Sequence, residues 1–325
     1  MKRLIAEFEE QSFTQIIFPH QKTDWSQYLD EAKKCFTNII TTIAKFQKVL
    51  VISADIDDAK EYIKDLANIT FIEYETDDTW ARDCSALSVE HNNKIELYNF
   101  CFNGWGGKFD AHKDNSMSRA IAKYYNAELK DIDFILEGGG IESNGVDTIL
   151  STANTMLNKN RNNTLRQDQI TKKLKDFFGA TKILYLNHGY LEGDDTDSHI
   201  DTLARFIAKD KIAYIKCRDK TDPHFKELHK MEVELQHLAK EHKYKLIPLP
   251  FCDPIYFEGE RLPATYANFL FVNGGVIVPT YGLKQDKEAI DIFKKLFPSR
   301  KVVGIDCSVL IRQHGSLHCV TMNFK

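Results

Sequence analysis

The 325-residue sequence predicts an α/β fold in which about five β-β-α-β units form one closed array. Two regularities point there. A hairpin-like pattern, two apolar strands around a short polar turn, recurs at 86–100, 140–152, 203–217 and 268–281, roughly every 50–65 residues. Between the hairpins, stretches with apolar residues at three- and four-residue steps run into short apolar strands.

Taken in order, "YLDEAKKCFTNIITTIAKFQ" predicts a helix ahead of the strand "KVLVIS". The hairpins turn on Asn-Asn, Asn-Gly, Lys-Asp and Asn-Gly-Gly, and two of these are strong hairpin signals. The helix "ITKKLKDFFGA" precedes "TKILYLN", "HFKELHKMEVELQHLAKEH" precedes "YKLIPLPF", and "DKEAIDIFKKLFPSR" precedes "KVVGID". At the C-terminus "SLHCVTMNF" reads as one arm of a fifth hairpin, so both chain ends contribute to the ring. A doubly wound sheet is the plainer alternative, but a hairpin inside every unit argues against a purely parallel one. No Pro/Ser-rich or low-complexity linker divides the chain, so residues 1–325 are expected to form a single domain.

The composition, 43% hydrophobic and 28% charged, is that of an ordinary globular chain. A net charge of -4 without a Lys/Arg run disfavours a nucleic-acid partner and suits a small cation better. No run of eighteen apolar residues predicts a membrane span, and the N-terminus has no apolar core of signal-peptide length. Seven scattered cysteines form no CxxC pair, which disfavours a disulfide framework or a cysteine-rich zinc site and points to a reducing cytoplasm.

Candidate chemistry gathers at the ends and turns of the units. In "GDDTDSHIDTLARF", four acids surround His199, and a compensating charge is expected. If the chain is extended there, His199 and Asp201 project to the same face and reach one ligand. The plainer alternative is an ordinary strand-start His beside an N-cap-like Asp. Cys319 is either a nucleophile or a small buried hydrophobe. A strand through "SLHC" would point His318 to the opposite face, leaving His199 as the candidate proton partner. No Lys or Arg adjoins Cys319 in sequence, so a cationic substrate could supply the charge a thiolate needs.

Glu137 heads a triple glycine that is either a flexible turn or a place where a ligand approaches the backbone. Asp83 beside Arg82 could be a surface ion pair. Trp80 and Trp105 sit beside such turns, and their indole faces suit an alkyl chain, a cation or core packing. A metal is a poor match, since only one of these residues is a histidine and a cysteine sits among hard carboxylates. Carboxylates set for a planar guanidinium fit better.

The motifs "TWARD", "FNGWGGK", "LEGGGIE", "LNKNRN", "GDDTDSHIDTLARF" and "HGSLHCVTM" together resemble agmatine deiminases, within the bacterial peptidylarginine-deiminase-like group of guanidine-modifying enzymes. The resemblance runs from "IIFPHQKTDW" to the last residues. It implies a five-bladed α/β-propeller, the pentein fold, with pseudo-fivefold repeats. It also implies hydrolysis of agmatine to N-carbamoylputrescine and ammonia, a step toward putrescine and the polyamines. By the same resemblance Cys319 is the nucleophile, His199 the general acid/base, and Glu137 the partner of His199 or of the guanidinium. Asp83 and Asp201 would hold the guanidinium nitrogens, with Trp80, Trp105 and Asp195 around the rest of the substrate. Asp77, Asp78 and Asp194 are further candidates for the distal amine. No metal or organic cofactor is implied, and analogy alone points to a homodimer. "RDCSALSV" and "HGSLHC" depart from the usual Thr-Gly-Pro turn and glycine-rich run of many relatives. A deiminase of free or peptidyl arginine, and a non-catalytic guanidine-binding member of the fold, are the alternatives. Metal-dependent hydrolysis is a weaker one.

Overall fold

The computed structural model describes residues 2–64 and 67–325, a mixed α/β chain. Among the described residues, strands form five sheets of three or four strands, plus one two-strand hairpin, Tyr256–Phe257 with Glu260–Arg261. One repeat is clearest in Ile141–Ser143 antiparallel to Thr148–Thr152, the helix Gln167–Phe178, and Lys182–Leu186 returning parallel to the second hairpin strand. The next repeat uses Ala204–Ala208, Lys211–Lys216, the helix Phe225–His242 and Lys245–Pro250. The one after uses Leu270–Val272, Gly275–Thr280, the helix Gln285–Leu296 and Lys301–Asp306. An earlier repeat, Leu87–His91 with Lys94–Cys101, the helix His112–Ala120 and Glu128–Ile135, gains Lys2–Leu4 at its edge.

The remaining sheet joins the chain ends. Thr321–Phe324 pairs antiparallel with Phe13–Ile17, which pairs parallel with Lys48–Ser53 across the helix Leu29–Ala44, and Ile69–Glu73 completes the edge. The four hairpins and four helices expected from periodicity are all present. The Asn92-Asn93 turn shows why: His91 pairs with Lys94, and both asparagines take positive φ, 52° and 62°, as a two-residue hairpin loop requires. One boundary differs. The final strand begins only at Thr321, and Leu317–Val320 form a turn, so strand alternation does not govern His318 and Cys319. No helix among the described residues is long and apolar enough to cross a membrane.

The longer helices bury an apolar stripe, as Phe36, Ile39, Ile40 and Ile43 do in the first. The repeats are also tied by charge. Arg205, fully buried, bonds Glu142 of the preceding hairpin through Nε, sits 3.0 Å from Glu7, and lies 4.5 Å from the centroid of Phe269. Removing one partner of such a group strands the others uncompensated in a low-dielectric interior. Arg205→Met should therefore lower unfolding free energy by about 3–5 kcal/mol in urea titration, and a loss below about 1 kcal/mol would contradict this role.

Candidate active site

The candidate residues meet where turns of different repeats converge. Asp83 ends up there through the short helix Ala81–Cys84, Glu137 through the turn after Glu128–Ile135, His199 just ahead of the 3-10 turn Ile200–Thr202, and Cys319 in the turn before the last strand. Gly139 lies at the focus. A Cβ built on it would sit 2.7 Å from His199 Nδ1, 2.8 Å from Asp83 Oδ1 and 3.1 Å from Asp201 Oδ2. The triple glycine is thus close-approach backbone rather than a loose turn: any side chain there would fill the space into which three polar groups point. Gly138 is equally constrained, since its Cβ would come within 2.3 Å of the Arg82 carbonyl oxygen.

His199 and Asp201 do converge, but through a turn and not through an extended strand, so the alternation argument for them fails. His199 is buried between carboxylates, with Nδ1 3.6 Å from Asp83 Oδ1 and Nε2 4.0 Å from Glu137 Oε2. Burial drives its pKa down to about 3 against the pull of Asp201, with the Arg161 charge adding to the drop, so the ring is neutral at physiological pH. Glu137 is fully buried and held by Arg161, whose Nε donates to its two oxygens at 2.8 and 2.9 Å. Burial still leaves the Glu137 carboxyl above its ordinary value, with Arg161 opposing.

Asp83 is not paired with Arg82, contrary to the surface ion pair considered from sequence. Arg82 is buried and turns to Glu7 and Asn323, while among the described residues Asp83 accepts only from Trp105 Nε1 at 3.0 Å and the Gly139 N–H at 2.9 Å. Burial, with Asp201 and Glu137 nearby, raises its pKa to about 8. Asp201 differs: burial pushes it up, but the bond and charge of His318 prevail and hold it below the usual carboxylate range. Cys319 Sγ lies 3.4 Å from Asn268 Oδ1 and 3.9 Å from Asp201 Oδ2. Burial first, then the Asp201 and Asp83 charges, push its thiol well above the ordinary cysteine value.

In front of Cys319 opens a cavity of about 120 Å³, walled by Trp80, Trp105 and Phe109 and edged by Asp24, Asp78, Asp194 and Asp195. Both tryptophans are nearly buried, and each indole N–H also fixes a carboxylate: Trp80 donates to Asp78 Oδ2 at 2.8 Å as Trp105 does to Asp83. Gly315 lets Trp80 lie flat against the backbone, because a Cβ there would meet the ring at 2.1 Å. Burial and the neighbouring Asp24 and Asp114 raise the Asp78 carboxyl to about 8. Asp77 does not line this cavity; its side chain accepts from the Lys113 N–H.

Five contributors carried no assigned role in the sequence. Arg161 sits in the quoted "LNKNRN" motif, and Asp197 pairs with it at 2.8 Å and with Lys108 at 2.9 Å. Asn268 holds the Cys319 turn, accepting the His318 N–H at 2.8 Å. Glu7 and His318 join the site from behind. The compensating charge expected for the acids around His199 thus comes in part from the chain itself, with Arg161 and Lys108 beside Asp197 and His318 beside Asp201.

Residues 3–324 match the family model of the Porphyromonas-type peptidyl-arginine deiminase. A Legionella pneumophila protein named "Putative agmatine deiminase" is 31% identical over 93% of this chain and 88% of its own length. The chain belongs to the agmatine deiminase family. A solved C. jejuni agmatine deiminase, a Cys-to-Ser variant with substrate bound, superposes with a TM-score of 0.95 at 41% identity, covering 100% of this chain and 96% of that one. At 12% identity and a TM-score of 0.54 over 97% of this chain and 100% of the other, a Pseudomonas aeruginosa DDAH complexed with citrulline shares the fold alone.

The site's electrostatics make a direct forecast for Cys319. At pH 8 its alkylation by iodoacetamide should be at least about tenfold slower than that of a free cysteine, rising tenfold per pH unit past pH 9. A rate at pH 8 equal to that of a free cysteine, read by mass spectrometry of the Cys319 peptide, would overturn it.

Proposed function

We propose that this chain hydrolyses agmatine to N-carbamoylputrescine and ammonia through a covalent intermediate on Cys319. The observation that carries the reading is Asp83: a buried carboxyl served, among the described residues, only by neutral donors, converging beside Gly139 with His199 and with Asp201, which lies 3.9 Å from Cys319 Sγ. A guanidinium supplies a planar cation with several N–H donors to such a place.

On this reading Asp83 and Asp201 hold the guanidinium nitrogens and Glu137 adds negative charge on the His199 side. The cation offsets the carboxylates that keep the thiol protonated, so Cys319 ionises once substrate is bound, and neutral His199 takes up the proton. The thiolate attacks the guanidinium carbon. His199 returns the proton to a nitrogen of the tetrahedral adduct, the C–N bond breaks, and ammonia leaves. Water then attacks the amidino-thioether with His199 accepting its proton. The C–S bond breaks as the adduct's hydroxyl gives its proton to solvent, releasing the ureido product and the thiolate, which His199 reprotonates. The solved relative with its cysteine changed to serine and substrate bound supports the nucleophile assignment.

Agmatine is favoured over free arginine because none of the residues lining the cavity is a lysine or arginine to meet an α-carboxylate, whereas Asp24, Asp78, Asp194 and Asp195 suit an ammonium. The aromatic wall of Trp80, Trp105 and Phe109 suits the butyl chain. The five sheets and the joined chain ends support one five-bladed propeller, and the proposed setting is a single cytoplasmic domain without a metal.

Ammonia release should be measured with agmatine, free arginine and an arginine peptide. Agmatine is expected to lead by at least about 100-fold in kcat/KM and to survive chelation, and arginine turned over as well as agmatine would refute the assignment. Cys319→Ser should lose at least about 10⁴-fold in kcat yet keep agmatine affinity, whereas Asp201→Asn should lose both binding and rate. Retained turnover by the serine variant would remove Cys319 from the mechanism.

A further inference from the structure

His318 has no place in the chemistry above, yet both of its ring nitrogens face acids in the interior. Nδ1 is 2.7 Å from Asp201 Oδ2 and Nε2 is 2.5 Å from Glu7 Oε2, with the side chain only 2% exposed. Ionised carboxylate oxygens only accept hydrogen bonds, so a ring bonded at both nitrogens to two ionised acids donates from both. Glu7 is itself fixed from three sides: Arg205 at 3.0 Å, Arg82 at 3.2 Å, and the Phe271 N–H donating to Oε1 at 2.8 Å. Asn268 Nδ2 adds a contact to Asp201 Oδ2 at 3.3 Å. All these partners lie on one oxygen of Asp201, while Oδ1, buried, has no hydrogen-bond partner among the described residues.

We propose that His318 is a positioning residue: its imidazolium, clamped between Glu7 and Asp201, keeps Asp201 ionised and fixes its carboxylate beside Gly139 and Cys319, with Oδ1 free of other partners among the described residues, ready for the guanidinium. The inference rests on Asp201 being a substrate ligand. The other charged groups facing this pair are Asp83, Asp194, His199 and Cys319 on the cavity side and Glu142 behind, with Arg82 and Arg205. Three of the cavity-side groups are acidic or become so on ionisation, so without the imidazolium they would drive a proton onto Asp201. His318 is therefore the fixed cation that separates the behaviour of Asp201 from that of Asp83, which has none.

The test is the pH profile of His318→Gln, which keeps a donor but not the charge. In the parent enzyme the raised carboxyls, Asp83 and Asp78, must shed their protons for agmatine to bind; in the variant Asp201 must do so too. The acidic limb of log kcat/KM against pH should therefore steepen by about one further proton, with most activity regained above about pH 9. A uniform drop, with position and slope unchanged, would show a merely structural residue and overturn the proposal. Should the variant not fold, nitrogen NMR of the labelled parent protein decides instead, with His318 assigned through the sequence's single His-Cys step. Two protonated ring nitrogens at pH 7.5 are expected, and a neutral ring would overturn the proposal. The NMR result needs no substrate, so failure of agmatine as substrate and failure of the clamp are told apart.

Discussion

The interior of this protein gathers carboxylates around one point, and how each is compensated decides everything else about the site. Glu137 has Arg161, Asp197 has Arg161 and Lys108, Glu142 has Arg205, and Glu7 shares Arg82 and Arg205. Asp201 has His318. Asp83 and Asp78 have only indole, hydroxyl and amide N–H or O–H groups, and burial holds both near about 8. An unpaired buried charge is costly, so these carboxyls stay neutral until a cation arrives. Both lie on the cavity lining, as does Asp194, whose partners are likewise a hydroxyl and an amide N–H. A ligand with a cation at each end, spaced by an apolar chain, matches that need.

The fold makes this concentration of charge tolerable. Turns of different repeats share the convergence, and the buried arginines come from a strand, Arg205, a short helix, Arg82, and a loop, Arg161. Glycine at 138 and 139 lets the turn carrying Glu137 press against the one carrying Asp83, which is how residues far apart in sequence reach hydrogen-bond range. Neutral His199 fits the same logic, since burial disfavours its charged form and the Arg161 charge beside Glu137 adds to the drop.

Much of this was legible in the sequence. Hairpin turns and helix stripes are local signals, so four hairpins and four helices emerged near their true bounds, and the motif set marked Cys319, His199, Glu137, Asp83 and Asp201. The helix His112–Ala120 did not stand out because "HKDNSMSRA" offers scarcely any apolar stripe, and Glu128–Ile135 alternates with acids and a lysine. His199 and Asp201 were placed together for the wrong reason, as a turn and not a strand brings them side by side. Arg161, Asn268, Glu7 and His318 were illegible in role because each acts across more than twenty residues of sequence, where neither periodicity nor adjacency informs.

The central claim is that Asp83 waits protonated for a guanidinium. Calorimetry of agmatine binding to the Cys319→Ser protein, in buffers of different ionisation enthalpy, counts the protons exchanged. A raised carboxyl must give up its proton to receive the cation, so binding near pH 7 should release about one proton or more, fading above about pH 9. Binding with no net proton release anywhere between about pH 6 and pH 9 would contradict the account.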